Sequence, residues 1–184
     1  MKVFKGIKDS FPNGTLILRA IKFADRKHKG QVRKVSGEKY VTHPLLVSYL
    51  VAKYKNSKSL ETLICAALLH DTVEDTKTSY EEILKEFSID VAQLVFELTS
   101  DPAEIKKVGK VEYLKNKMRG MSSYALYLKL CDRLGNLIDH PSEKQIVETR
   151  EILASLKKGR KLSKSHLSVI KEIESVVDNV PAGG

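Results

Sequence analysis

The chain has 184 residues, of which 42% are hydrophobic and 30% are charged, so general disorder is excluded and one globular domain over residues 1–184 is favoured. Lysine and arginine outnumber aspartate and glutamate, which leaves a net charge of +9 and indicates an anionic partner: nucleic acid, a membrane surface or a phosphorylated small molecule. The two cysteines, Cys65 and Cys131, lie in apolar stretches, which is typical of buried thiols in a reducing compartment and not of a disulfide framework.

Apolar residues recur along the chain with a spacing of about 3.6, which predicts an all-α fold of eight or nine helices. The helix over 59–73 is apolar nearly all round, as a central buried helix should be. The predicted helices cover 15–28, 44–53, 59–73, 78–87, 88–98, 110–119, 122–139, 142–157 and 165–178. The polar segments 30–42 and 100–109 are predicted to be loops, the core to span about 15–157, and the last helix to close the domain.

Neither a leader nor a membrane anchor is indicated by the sequence. The first ten residues, MKVFKGIKDS, carry charges every few positions and lack the apolar stretch of a secretory signal. The most apolar run, Leu63 to Leu69, is far too short to span a bilayer. We therefore expect a cytoplasmic protein with no membrane partner.

Side chains able to bind a metal follow the most apolar helix. His70 and Asp71 come directly after the run AALL, where an ionised aspartate is costly unless something pairs with it. If the helix continues, Glu74 and Asp75 lie one turn below this pair. Elsewhere, Asp132 follows a second apolar run and has Asn136 one turn later, and His43 precedes Pro44 where a loop meets a helix.

Each of these residues also has an ordinary structural interpretation. A single histidine before a proline is usually a helix-start residue. Asp71 and Asp132 could be salt-bridge partners of buried arginines, and Glu74 and Asp75 could be solvated acids at a helix end. Taken together, however, a distant histidine, an HD pair and a distant aspartate match a known constellation.

That constellation, H…HD…D, is the metal site of the HD phosphohydrolase superfamily. The segments QVRKVSGEKYVTHP, AALLHDTVEDT and KLCDRLGN resemble the hydrolase domain of the Rel/Spo-type enzymes of guanosine tetraphosphate, (p)ppGpp. The resemblance runs from about Leu16 to Leu156 and is closest in style to the small alarmone hydrolases, which lack a synthetase domain. It implies an HD-domain multi-helix bundle with hydrolase activity alone.

The resemblance also implies a role for individual residues. One divalent ion, Mn²⁺ in this family, would be held by His43, His70, Asp71 and Asp132. The attacking water would be oriented and deprotonated by Glu74 and Asp75. Nucleotide contacts would come from Arg33, Lys34, Tyr40, Asn136 and one lysine of the segment 106–117, for which Lys110 is our choice. The donor chemistry agrees, since two imidazoles and two carboxylates suit a transition metal better than Mg²⁺ or Ca²⁺, although Zn²⁺ also accepts such ligands.

These expectations define a leading function and three alternatives. The leading function is metal-dependent 3′-pyrophosphohydrolysis of (p)ppGpp to GDP or GTP plus pyrophosphate. The same site could instead act on a related nucleotide such as ppApp or NADPH, or the protein could be a non-catalytic nucleotide-binding scaffold. A nucleic-acid-binding module is disfavoured, because the lysine clusters at 53–58, 106–117 and 157–164 have no interleaved aromatic residues to stack on bases.

Overall fold

The computed structural model describes residues 14–139 and 141–179, and within these ranges the chain forms eleven helices. The helices are α1 (Gly14–Lys27), α2 (Thr42–Tyr54), α3 (Leu60–Leu69), α4 (Thr72–Asp75), α5 (Tyr80–Glu86), α6 (Ile89–Leu98), α7 (Pro102–Val108), α8 (Lys110–Gly120), α9 (Ser123–Ile138), α10 (Glu143–Gly159) and α11 (Lys164–Asn179). The predicted all-α fold is confirmed. The first ten residues, from which we inferred the lack of a leader, lie outside the described ranges.

Each predicted helix has a counterpart, and two short helices are additional. One of them is α4, since the helix predicted over 59–73 is interrupted at His70 and Asp71. The other is α7, so the prediction of a loop over residues 100–109 is wrong. Asp101 caps α7 by accepting hydrogen bonds from the N–H groups of Ala103 and Glu104, and Pro102 occupies its first turn. This Asp-Pro pair is a helix-start signal, but α7 buries no residue, so it lacks an apolar stripe.

Helix α3 lies at the centre of the molecule, as its sequence predicts. Five of its residues in succession, Cys65 to Leu69, are at most 1% exposed. It packs against α1, α2 and α6, and α9 packs against α2, α6 and α11. Helix α3 therefore ends within the core, and α9 carries Asp132 among buried neighbours at the middle of its length.

The interruption after α3 places two consecutive side chains on one side of the chain. His70 keeps helical backbone angles, whereas Asp71 has φ −95° and ψ −5°. The Thr72 hydroxyl donates to the carbonyl of Leu69 (2.7 Å), and the amide of Asp75 donates to the carbonyl of Asp71 (2.8 Å). In a regular helix adjacent side chains diverge by about 100°. This local bend lets His70 and Asp71 face the same point. Among the described residues, no helix has the length and apolarity needed to cross a membrane.

Candidate metal centre and active-site cavity

Three buried side chains from three helical segments converge at the end of α3. One ligand atom from each of His43, His70 and Asp132 lies within 4.8 Å of the other two. Oδ1 of Asp132 is 3.1 Å from Nε2 of His43 and 3.5 Å from Nε2 of His70. His43 comes from α2 and Asp132 from α9, so packing of these helices on α3 assembles the group.

Asp71, the fourth predicted ligand, lies beside this group. Its Oδ2 is 3.0 Å from Nε2 of His70 and 3.8 Å from Nε2 of His43. The structure thus brings together all four side chains that the sequence singled out, although they are separated by up to 89 positions in the chain. Their roles as ligands remain a proposal.

The protonation pattern of His70 suits a cation at the centre of this group. Its Nδ1 lies 2.7 Å from the carbonyl oxygen of Ala67, which places a ring hydrogen on Nδ1 and leaves Nε2 to face the carboxylates. Nε2 is buried and makes no hydrogen bond to any described residue. Burial opposes a charge on His70, but the carboxylates of Asp71 and Asp132 raise its pKa, so a positive charge is favoured between this ring and their oxygens. Two nitrogen and two oxygen donors fit a divalent transition metal.

Lys129, which our sequence analysis did not select, compensates the charge of Asp132 from the opposite side. Its ammonium lies 3.0 Å from Oδ2 of Asp132, and both side chains are largely buried. Burial opposes ionisation of Asp132, but Lys129 and the two histidines hold its pKa well below the usual range. The signal for this lysine is its place in the otherwise apolar run YLKLC, three residues before Asp132.

Tyr40 links the candidate ligand Asp71 to the acidic pair. Its hydroxyl lies 2.6 Å from Oδ2 of Asp71 and 3.0 Å from Oδ2 of Asp75. Burial, followed by the negative charge of Asp71, raises the pKa of Asp75. The other acid, Glu74, accepts a hydrogen bond from the amide of Ser100 at 2.8 Å. Both acids therefore lie close to the candidate metal centre in fixed orientations.

Arg33 reaches the site from the loop before α2. Its Nε donates to Asp139 at 2.8 Å and its Nη2 donates to the side-chain oxygen of Asn136 at 3.1 Å. Asn136 in turn donates to Oδ1 of Asp132 at 2.8 Å. These bonds connect the first loop to the metal centre. Lys34, the other basic residue of the predicted pair, is exposed and does not line the cavity described next.

A cavity of about 290 Å³ opens beside the metal centre. Seven of the eleven predicted site residues line it: Tyr40, Asp71, Glu74, Asp75, Lys110, Asp132 and Asn136. Lys110 thus lies at the cavity, and its contact with a phosphate stays a prediction. The sequence analysis missed further lining residues with polar side chains: Ser100, Lys129, Arg133, Gln145, Glu148 and Thr149. Most of these lie on α9 and α10, and their relation to the site follows from helix packing.

The comparisons with known proteins agree with this architecture. The sequence pattern of the HD domain matches residues 20–160. The match covers more than half of the chain and includes all four candidate metal ligands. The chain therefore belongs to the HD-domain family.

Within that family, the similar proteins carry two names, guanosine-3′,5′-bis(diphosphate) 3′-pyrophosphohydrolase and GTP pyrophosphokinase. A guanosine-3′,5′-bis(diphosphate) 3′-pyrophosphohydrolase of Xenopus tropicalis is 41% identical over 132 residues, which is 69% of this chain and 70% of that protein. A protein of the same name from Aquifex aeolicus is 39% identical over 155 residues, which is 76% of this chain and 21% of that protein. The chain spans about a fifth of the length of such long bacterial relatives.

A solved structure shows the same fold. It is that of a metazoan orthologue of SpoT, described as hydrolysing ppGpp, with a TM-score of 0.71 and 26% identity. The match covers 87% of this chain and 94% of that one. The helices that carry the candidate site thus belong to a fold shared over nearly the whole of the solved protein.

Proposed function

We propose that this protein is a metal-dependent 3′-pyrophosphohydrolase that converts (p)ppGpp to GDP or GTP plus pyrophosphate. The observation that carries this proposal is the buried cluster of His43, His70 and Asp132, of which Asp132 lines the same cavity as the Glu74–Asp75 pair. The names of the similar proteins and the description of the solved structure support the choice of substrate.

The residues that would hold the metal are His43, His70, Asp71 and Asp132. A bound divalent ion would lower the pKa of a coordinated water and offset the negative charge of a substrate phosphate. We propose Mn²⁺ as this ion, because the mixed nitrogen and oxygen donors suit a transition metal. Zn²⁺ accepts the same donors and is therefore included in the test below.

In this proposal the acidic pair, Glu74 and Asp75, would transfer the protons of the reaction. The oxygen of the attacking water bonds to the phosphorus attached to the ribose 3′-oxygen, and the bond between that phosphorus and the 3′-oxygen breaks. Glu74 has Oε2 bound to the amide of Ser100, so Oε1 is available to accept the proton of the water. Asp75, whose pKa is raised by burial and by Asp71, is suited to return a proton to the leaving 3′-oxygen.

Cationic and amide groups around the cavity would bind the nucleotide. We assign Lys110 to a substrate phosphate and Asn136 to the nucleoside, since both line the cavity. Arg33 does not line it, but donates to the side chain of Asn136, and we assign it to the nucleotide beside Asn136. Tyr40 would both contact the nucleotide and orient Asp71, since it lines the cavity and its hydroxyl binds Asp71. We propose that Lys34 contacts the outer phosphates of the substrate, because its long, exposed side chain extends from the same loop as Arg33.

We propose that residues 1–184 form one hydrolase domain of the cytoplasm. The family match ends at residue 160, but α11 packs against both α9 and α10. Both cysteines are free and buried, which suits a reducing compartment. The substrate would be a small nucleotide, with no specific nucleic-acid or membrane partner.

Product analysis tests the proposed reaction. Metal-stripped protein is incubated with ppGpp alone and with Mn²⁺, Zn²⁺ or Mg²⁺, and the nucleotides are separated by anion-exchange chromatography. We expect GDP and an equal amount of pyrophosphate with Mn²⁺. Turnover of ppApp or NADPH alone, run beside ppGpp, would keep the mechanism and change the substrate. If none of the three is cleaved with any metal, the protein is a binding scaffold and the proposal is wrong.

Two variants separate metal binding from proton transfer. His70→Ala should lose metal and turnover together, because it removes a buried ligand. Glu74→Gln should keep the metal but lower kcat by roughly 10²–10⁴-fold, the usual contribution of a general base. Glu112→Gln, at an exposed acid of α8, is the matched control and should act like wild type. Wild-type turnover by Glu74→Gln would exclude Glu74 as the base.

A further inference from the structure

The orientation of Glu74 depends on a turn that is distant from it in sequence. Oε2 of Glu74 accepts its hydrogen bond from the amide of Ser100, 26 positions away. Ser100 lies between α6 and α7, in a turn of three residues, 99–101, and is itself a lining residue of the active-site cavity. Any displacement of this turn moves the donor that holds Glu74.

Two side chains of α8 hold the turn on either side of Ser100. The hydroxyl oxygen of Tyr113 accepts a hydrogen bond from the amide of Asp101 at 2.8 Å. The ammonium of Lys117 donates to the carbonyl of Thr99 and, at 3.2 Å, to the hydroxyl oxygen of Tyr113. The backbone groups that precede and follow Ser100 are thus both bound to one helical turn of α8.

Neither of these side chains lines the active-site cavity. Tyr113 is 8% exposed, and together with Lys117 it lines a separate groove on the other side of the 99–101 turn. Lys117 ends the lysine-rich segment 106–117, but its ammonium is directed at backbone and at a phenol instead of the cavity. Neither residue is therefore positioned to contact a molecule in the cavity, and their hydrogen bonds to the turn connect them to Glu74.

We propose that Tyr113 and Lys117 are positioning residues that orient Glu74 through the 99–101 turn. This inference rests on the proposed function, in which Glu74 accepts the proton of the attacking water. A general base acts only within hydrogen-bond reach of that proton, and a misplacement of about 1 Å costs up to roughly 10²-fold in rate. Helix α8 thereby holds Glu74 through the backbone of the turn.

The test uses Tyr113→Phe, which removes one hydroxyl, and Lys117→Met, which keeps the length of the side chain. Each should lower kcat by about tenfold and leave KM and the metal affinity unchanged, because neither the cavity wall nor the metal ligands are altered. Tyr124→Phe is the matched control. It removes a tyrosine hydroxyl bonded to Ser57 at 3.3 Å, which lines neither the active-site cavity nor the groove beside the turn, and should leave kcat unchanged.

A double-mutant cycle distinguishes positioning from a general loss of stability. If Tyr113 acts through Glu74, adding Tyr113→Phe to Glu74→Gln should lower kcat no further. The proposal would be overturned if Tyr113→Phe lowered kcat by the same factor in the wild-type and Glu74→Gln proteins. It would also be overturned if Tyr113→Phe alone left kcat unchanged.

Amide hydrogen exchange provides a second readout that needs neither metal nor substrate. In metal-free protein, exchange at Ser100 should be faster in Tyr113→Phe and in Lys117→Met than in wild type and in Tyr124→Phe. Unchanged exchange at Ser100 would overturn the proposal whatever the activity. Failure of the proposed function looks different, because wild-type protein itself would then release no pyrophosphate from ppGpp.

Discussion

The hydroxyl of Tyr40 lies 2.6 Å from Oδ2 of Asp71, the carboxylate that extends from the interruption between α3 and α4. Burial, together with the charges of Asp71 and Asp75, raises the pKa of Tyr40, so the phenol stays protonated and donates to the carboxylate. A residue of the first loop thus fixes the orientation of a candidate metal ligand 31 positions later.

Removing this hydroxyl should weaken metal binding. Partners that orient metal ligands are worth roughly 10–100-fold in affinity, so Tyr40→Phe should raise the Kd for Mn²⁺ by about tenfold. Competition with a chelator measures the change. Tyr49→Phe, at a tyrosine that is 62% exposed on α2, is the control. An unchanged Kd in Tyr40→Phe would show that Asp71 needs no such partner.

Lys129→Met should destabilise the metal-free protein more than the metal-loaded protein. Without metal, the ammonium of Lys129 compensates the buried charge of Asp132 at 3.0 Å. Removing one partner of a buried pair costs about 3 kcal/mol, or roughly 10 °C in Tm for a chain of this size. With Mn²⁺ bound, the ion takes over part of this compensation, so the loss should be smaller.

Thermal unfolding in EDTA and in saturating Mn²⁺ checks the Lys129 prediction. Lys144→Met provides the control, since its ammonium is exposed and 4.0 Å from Glu148, and its Tm should change little in either condition. Equal losses of Tm for Lys129→Met with and without Mn²⁺ would contradict the prediction.

His166 should make the protein less stable in mild acid. Its Nε2 lies 2.8 Å from the carbonyl oxygen of Ser123, and its Nδ1 accepts from the amide of Ser163 at 3.1 Å, so the buried ring is held neutral. Burial and the nearby cations Arg160 and Lys55 lower its pKa. The unfolded chain, with a histidine pKa of about 6.5, therefore binds the proton first, and stability falls as the pH drops below that value.

Urea unfolding at pH 7.5 and 5.5, in EDTA to remove metal effects, measures this contribution. Between pH 7.5 and 5.5, protonation linked to His166 should lower the free energy of unfolding by at most about 1.4 kcal/mol. The loss of stability on acidification should be smaller by that amount in His166→Gln, even though the variant is less stable at pH 7.5. An identical loss in the variant would assign the acid sensitivity to other groups.

The buried thiols should be inert in the folded protein. Cys65 has no exposed surface, and burial, with a smaller effect of the charge of Glu61, raises its pKa to about 12. Thiol reagents attack the thiolate, so neither Cys65 nor the equally buried Cys131 should react at pH 8 in native protein. Both should react in denaturant. Rapid alkylation of either thiol in native protein would show that α3 or α9 opens readily.

Local sequence was sufficient for most of the helices, because their signals are short-range. The apolar spacing of α9 and the serines that cap α5 and α6, Ser79 and Ser88, are visible without any knowledge of neighbours. Helix α7 was missed since it buries no residue, so periodicity had nothing to detect. The helix-start signal of α7, Asp101-Pro102, was nevertheless visible in the sequence.

The candidate site also has a part that local sequence predicts and a part that depends on tertiary packing. His70, Asp71, Glu74 and Asp75 fall within six residues, so the motif itself predicts that they lie together, and the resemblance to the HD family added His43 and Asp132. No local signal, however, links Glu74 to Ser100, or Tyr113 and Lys117 to the backbone beside Ser100. Such contacts join residues 12 to 26 positions apart, and they exist only once α8 packs beside the turn.

The sequence by itself determined the helical class, the buried central helix and the chemistry of the candidate site, because periodicity and residue type are local properties. Tertiary structure alone decided which charges are compensated and which acid is held by which donor. Lys129 is recognisable in sequence merely as a lysine in an apolar run, and the fold makes it the partner of Asp132. Burial and distance set the strength of such pairs, and both arise only when the helices pack.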